Sequence, residues 1–251
     1  MSVEKFKALH HGSQPLLVAN TYDAISAKAA EKAGFEAMAT SSHAIANILG
    51  YEDGENIPFS EMFFMIEKTA KSSSMLVSCD IESGYSDNPQ EVAKNVKQLV
   101  NIGVVGINLE DGLTKGKDRV LGDPSILAEE IKTIKSELKK GGKDIFINAR
   151  IDTYTTKHAN ALEESLKRIK IYEEAGADGF FIPLINEEKD IKAVFETTKL
   201  PLNVFLKEGL KSYEEYAKLG VHRASSGNGI HAVVTKATEQ AFEKLKSEKH
   251  F

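Results

Sequence analysis

The stretch MLVSCDIESGYSDNPQEVAKNVKQLVNIGVVGINLED, residues 75–111, decides the fold. It opens on one apolar run, 75–81, and closes on another, 105–111, and both run into carboxylates. Between them Val92, Val96, Leu99 and Val100 keep the i, i+4, i+7, i+8 spacing of an amphipathic helix. Strand-like runs alternating with helical stripes are the pattern of a parallel sheet wrapped by helices.

The alternation continues in both directions. Runs at 15–20, 37–42, 144–150, 179–183, 201–206 and 222–227 bring the predicted strands to eight, the last being short and polar. Ile126, Leu127, Ile131, Ile134 and Leu138 form a second helical stripe, and Leu162, Leu166, Ile169 and Tyr172 a third. Gly34, Gly103, Gly176 and Gly220 each precede a predicted strand, where a left-handed cap lets the chain leave a helix and reverse. Eight repeats in 251 residues predict an α/β fold, a (β/α)8 barrel of TIM type. An open doubly wound sheet usually has fewer strands and a G-x-G-x-x-G after the first, which is missing here. No interdomain linker interrupts the pattern, so 1–251 reads as one domain. Residues 230–247 read as a closing helix with Val233, Val234, Ala237, Ala241 and Leu245 on one side.

A formal net charge of -5 argues against phosphate-backbone binding, which needs uncompensated Lys and Arg. No stretch approaches the ~20 apolar residues of a membrane span, and the first residues carry no apolar signal region, so a cytoplasmic protein without membrane or nucleic-acid partners is expected. The single Cys79 excludes an internal disulfide and a cysteine-based zinc site. The seven histidines show no H-E-x-x-H spacing.

Barrel enzymes carry their chemistry at the carboxyl ends of strands. Here those ends hold Asn20, Ser41, Ser42, His43, Asp80, Glu82, Glu110, Asp111, Arg150 and Asp152. On a strand Asp80 and Glu82 share a face, with Cys79 and Ile81 on the other. Crowded carboxylates repel unless a cation neutralises them, and with Glu110 from the next strand they form an all-oxygen set suited to Mg²⁺ or Mn²⁺. The competing reading makes them helix caps or partners of Arg150. Arg150 is the first choice for a substrate anchor, since its planar fork matches a carboxylate; a structural pair with Asp152 is the alternative. The loop SSGNG, 225–229, is read as a plain turn in preference to a phosphate site.

The segments NTYDAISAKAAEKAGFEAMATSSHAIANILGYEDGE, SCDIESGYS, GVVGINLEDG, INARIDTY and YEEAGADGFFIP together resemble the isocitrate lyase/phosphoenolpyruvate mutase superfamily. The resemblance implies a Mg²⁺ site with Asp80 as direct ligand and with Glu82 and Glu110 acting through bound waters; Glu82 stands where the lyases and the mutase commonly carry Asp. It places Ser41, Ser42 and His43 on the loop that binds the substrate carboxylate, Asp53 near the substrate, and Arg150 on the arginine ending strand five. Arg150, Asp53 and Glu110 are thus the expected catalytic residues. It also implies a homodimer or homotetramer in which the last helix, 230–251, packs on a partner subunit.

Two departures bear on the reaction. The lyases of the superfamily carry K-K-C-G-H in a loop after strand four, whereas this chain reads GLTKGKDRVLGD, 112–123, with Lys115 and Lys117 as its only counterparts. Cys79 cannot substitute, being a buried small side chain on the opposite strand face. The histidine that the phosphonate-directed mutase carries after strand six is replaced by Pro183, Leu184 and Ile185. The expected activity is Mg²⁺-dependent cleavage or formation of a carbon–carbon or carbon–phosphorus bond in a small 2-oxo or 2-hydroxy acid through a pyruvate-like enolate, as a lyase, decarboxylase or phosphonate-type enzyme. The alternatives are a Schiff-base aldolase using Lys207 and a catalytically inactive metabolite-binding barrel.

Overall fold

The computed structural model describes residues 2–116 and 118–250, with the Lys115 side chain left out. The two loop lysines therefore fall outside what is described: Lys117 entirely, Lys115 in its side chain. Eight parallel strands form the barrel wall. β1 comes in two pieces, Leu16–Leu17 and Ala19–Thr21, followed by β2 (Ala37–Thr40), β3 (Leu76–Asp80) and β4 (Gly106–Glu110). β5 (Phe146–Arg150), β6 (Gly179–Phe181), β7 (Leu202–Phe205) and β8 (Arg223–Ser225) complete it. The first piece of β1 pairs with β8 and the second with β2, which brings the two ends of the sheet together. Each predicted run contains one of these strands.

The helices start where local chemistry dictates. Asn88 and Asp123 each accept an amide N–H two residues on, at 2.9 and 2.8 Å, and each is followed by a proline, whose missing N–H is harmless in a first turn. They open α5 (Pro89–Asn101) and α6 (Pro124–Lys140), numbered after α1 (Val3–Leu9), α2 (Ala24–Lys32), α3 (Ser42–Ile48) and α4 (Phe59–Ala70). Then come α7 (Ala161–Ala175), α8 (Glu188–Thr197), α9 (Tyr213–Lys218) and α10 (Gly229–Glu248). Gly176, at φ 106°, ends α7 in the left-handed conformation that only glycine adopts freely. Val92, Val96 and Leu99 are fully buried against the sheet, each stabilising the fold by about 1.5–3 kcal/mol. Ile126 departs from its stripe and faces solvent at 46% exposure.

Inside the barrel the period-two alternation sorts side chains into levels. Ser78, Gly106 and Phe146 stand in register across three strands, Asp80, Asn108 and Asn148 one level up, and Glu110 and Arg150 above them at the mouth. Phe6 of α1 plugs the floor. A Cβ on Gly106 would lie 2.7 Å from its ring, so the glycine makes room for the plug.

Two features depart from the sequence reading. The segment after β4, expected as a loop, folds as an antiparallel hairpin whose arms are Gly112–Lys115 and Asp118–Leu121. α10, read as a closing helix, buries only His231, and leaves Val233 and Phe242 exposed at 68 and 67%. No described helix is long and apolar enough to cross a membrane.

Candidate active site

A cavity of about 280 Å³ opens at the barrel mouth, and Ser41, Ser42, His43, Asp53, Asp80 and Arg150 all line it. Six residues named from the sequence are thus gathered in one place. The asparagine level forms a rigid floor: Asn148 donates to Asn108 at 2.9 Å and to Asn203 at 3.2 Å. Ser41 and Ser42 divide two tasks. The Ser41 hydroxyl caps α3 by accepting from the Ala44 amide, and the Ser42 hydroxyl donates to Asp80 Oδ2 at 2.9 Å.

The second Asp80 oxygen, Oδ1, is buried and has no hydrogen-bond partner among the described residues. Burial pushes this carboxyl up from its ordinary range, against the pull of Arg150 and Ser42. A buried carboxylate oxygen left unpaired is the donor a hard cation takes up, so Asp80 fits the direct-ligand role of a Mg²⁺ site. Among the described residues no three His, Cys, Asp or Glu side chains converge tightly enough to hold a metal by themselves. A cation here would complete its shell with water, as Mg²⁺ commonly does.

Glu82 and Glu110 stand behind Asp80, on a neighbouring cavity of about 230 Å³ under the hairpin. The same-face argument for Asp80 and Glu82 does not carry over, because β3 ends at Asp80 and Glu82 takes a left-handed φ of 49°. Its carboxyl accepts from the Tyr85 hydroxyl at 3.1 Å. Burial, then the charges of Asp53, Asp80 and Glu55, push it up to about 8.

Glu110 belongs to a closed ring of four charges. Arg150 Nη1 lies 2.6 Å from Glu110 Oε2, and Arg150 Nε donates to Asp152 Oδ1 at 2.9 Å. Arg119, on the returning arm of the hairpin, pairs with Glu110 Oε1 through Nη2 and donates from Nε to Asp152 Oδ2 at 2.9 Å. Each arginine touches both acids. Burial pushes Asp152 up, but Arg150 and Arg119 outweigh it and hold the carboxyl below its ordinary value. Arg150 makes the pair with Asp152 that was the alternative reading of it, and it also lines the cavity, with no protein partner on Nη2 among the described residues.

His43 Nδ1 lies 3.3 Å from Asp53 Oδ2 across the rim, and this hydrogen bond raises the His43 pKa. Asn20 Oδ1 accepts from the Ser226 and Gly227 amides at 2.7 and 3.0 Å, so these amides of the 225–229 loop are used inside the protein, in keeping with a turn. Lys207 lines the cavity from an exposed position, without the desolvation that a Schiff-base lysine requires. Cys79 is fully buried and pushed up to about 12, an unreactive thiol.

Reading by strand ends missed Arg119, nine residues from Glu110 in sequence and on an element not foreseen. It also left Asp111 without a role. Asp111 accepts from Arg168 Nη1 and the Tyr172 hydroxyl, both at 2.8 Å, and Arg168 Nη2 reaches the Gly122 carbonyl at 2.8 Å. The base of the hairpin is thereby tied to α7. Arg168 on the Ile169 and Tyr172 side of α7 was the one available signal, a charge set in an apolar stripe.

The family model described as phosphoenolpyruvate phosphomutase matches residues 6–246. The chain belongs to this family, within the isocitrate lyase/phosphoenolpyruvate mutase superfamily. Among its relatives is an uncharacterised protein of Mycobacterium tuberculosis, 33% identical over 223 residues that cover 89% of this chain and 81% of that one. An oxaloacetate decarboxylase of Bradyrhizobium is 26% identical over 251 residues, covering 97% of this chain and 84% of that one. A crystal structure of a candidate phosphonomutase from Burkholderia cenocepacia superposes with a TM-score of 0.90 at 31% identity, covering 96% of this chain and 99% of that one. Membership supports an enzyme.

Proposed function

We propose that this protein is a Mg²⁺-dependent lyase that breaks a carbon–carbon bond in a small 2-oxo acid, with oxaloacetate-type decarboxylation as its leading reaction. One observation carries the reading: a single small cavity presents an Asp80 oxygen and an arginine Nη2 that have no hydrogen-bond partner among the described residues, while the arginine's Nε and Nη1 are held by Asp152 and Glu110. Asp80 would hold the metal directly. Glu82 and Glu110 would act through waters, since each Glu110 oxygen keeps a second lone pair beyond its arginine. The metal when bound would supply Lewis-acid polarisation of the 2-oxo group.

The chain's own groups account for the rest. Arg150 anchors the substrate carboxylate through Nη2, and the ring holds its fork in one plane. Its guanidinium, 5.8 Å from the Phe181 ring centre, stabilises the negative charge that stays on the 2-oxo acid when the bond breaks. Ser42 orients Asp80, and the asparagine floor excludes bulk water from below. Decarboxylation suits this site because carbon dioxide leaves without a base having to remove a proton, and the enolate left behind takes its proton at carbon from water at the open mouth; the described hairpin residues bring an arginine to the site where the lyases carry a cysteine loop.

Oxaloacetate, phosphonopyruvate and 2-methylisocitrate, each assayed with and without EDTA, test the reading. Turnover of oxaloacetate that EDTA abolishes is the expected result, and metal-independent turnover overturns it. The exposed Val233, Val234, Ala237 and Phe242 support the further proposal that α10 packs on a second copy of the chain. Sedimentation should then give a dimer or tetramer, and a monomer at micromolar concentration refutes that part.

A further inference from the structure

The hairpin is seated closely against the site. A Cβ on Gly112 would lie 2.1 Å from Asp152 Oδ2 and 2.7 Å from Arg119 Nη2, and a Cβ on Gly54 would lie 2.4 Å from Thr114 Oγ1. Only glycines permit this approach, and Gly54 follows Asp53 directly. Arg119 is thereby delivered to Glu110 and Asp152 while the charges of Arg119 and Arg150 both act on Asp53 and Asp80.

Burial pushes the Glu110 carboxyl up against the pull of Arg150 and Arg119; with both carboxyls ionised, the ring of two guanidiniums and two carboxylates carries no net charge. Without Arg119, Glu110 and Asp152 would face Arg150 alone, leave a net charge of about -1, and cancel the attraction of Arg150 for an anion. The same extra negative charge would draw a divalent cation more strongly to Asp80. We propose that Arg119 is a positioning residue that sets the balance of the site, lowering its affinity for the divalent cation while preserving the affinity of Arg150 for the carboxylate substrate. The inference rests on the Mg²⁺-and-carboxylate reading above and adds to it a residue that strand-end reasoning does not reach.

The experiment is calorimetric titration of the full chain with Mg²⁺ alone, and then with oxalate at saturating Mg²⁺, in wild type, Arg119→Gln and Arg119→Lys, with circular dichroism confirming the fold. In Arg119→Gln the Mg²⁺ affinity should rise and the oxalate affinity fall, each by about 10²-fold, the effect of one unit charge ~10 Å from a doubly charged ligand at an effective dielectric near 20. Arg119→Lys keeps the charge and should return both affinities to within about threefold of wild type. Gly112→Ala, which pushes Arg119 from its seat, should shift both in the directions seen for Arg119→Gln. A structural role would weaken both ligands together, and that result, or no change in either, overturns the proposal. An Arg119→Gln chain that does not fold, with Arg119→Lys weakening both ligands, also overturns it. Wild type that binds neither Mg²⁺ nor oxalate instead defeats the functional reading on which the proposal stands.

Discussion

An arginine stands inside each end of this barrel, and the two live under opposite rules. Arg150 at the mouth touches Glu110 and Asp152, and these charges, with Asp80, hold its guanidinium firmly protonated against the effect of burial. Arg223 at the floor is 1% exposed, none of its side-chain nitrogens has a hydrogen-bond partner among the described residues, and burial lowers it to about 10. The Phe6 ring lies 5.8 Å from its guanidinium. Charge in a dry interior is tolerated where it is matched and opposes folding where it is not. The mouth thus holds a charge for use, and the floor holds one at the expense of stability.

The comparison can be broken at either end. Arg150→Met leaves two buried carboxylates with only Arg119 between them, and should destabilise the protein by about 3–5 kcal/mol in urea unfolding. It should also lower kcat/KM by about 10²–10³-fold. Arg223→Met removes an unmatched charge at similar volume, so stability should stay level or rise by about 1–4 kcal/mol. A fall of more than about 2 kcal/mol would show that the floor depends on its cation as the mouth does.

Glu130 extends the contrast to an unpaired acid. It is 3% exposed on α6, and burial, with the charges of Glu55 and Asp87, pushes it up to about 8. From its ordinary value of 4.5 up to about 8, the folded protein keeps a proton that the unfolded chain has lost, so stability falls as pH rises through that window. Glu130→Gln should remove this slope and raise stability at pH 8 by about 4 kcal/mol, read from unfolding midpoints at several pH values. An unchanged slope would mean that Glu130 is not the group responsible. The smallest effect is expected from Ser41→Ala, which removes the α3 cap and should lower stability by about 1 kcal/mol, with the Ser42–Asp80 bond kept.

What the sequence revealed follows the same division. Strands and mouth residues such as Asp80 and Arg150 were legible because alternation along a strand is a local rule that burial on one face enforces. Glu82 escaped that rule by one residue, since its strand had already ended. Arg119 could not be read at all. Its partners lie 9 and 33 residues away, and the hairpin arms are seated through two glycines whose importance appears only once Asp152 and Thr114 are packed against them. The unpaired Arg223 was equally hidden, because a short polar strand shows no sign of which end of the barrel its side chains enter.

The Phe6 plug gives the molecule an order of assembly. Phe6 rests edge-on against Phe146, 5.5 Å between ring centres, and beneath Arg223 of the last strand. α1 is made before β8 and therefore completes its packing only after residue 223 has emerged, and until then the floor of the barrel stays open. During synthesis the growing barrel carries an unsealed apolar base until its eighth strand arrives, and a helix made before every strand waits for the last of them to lock.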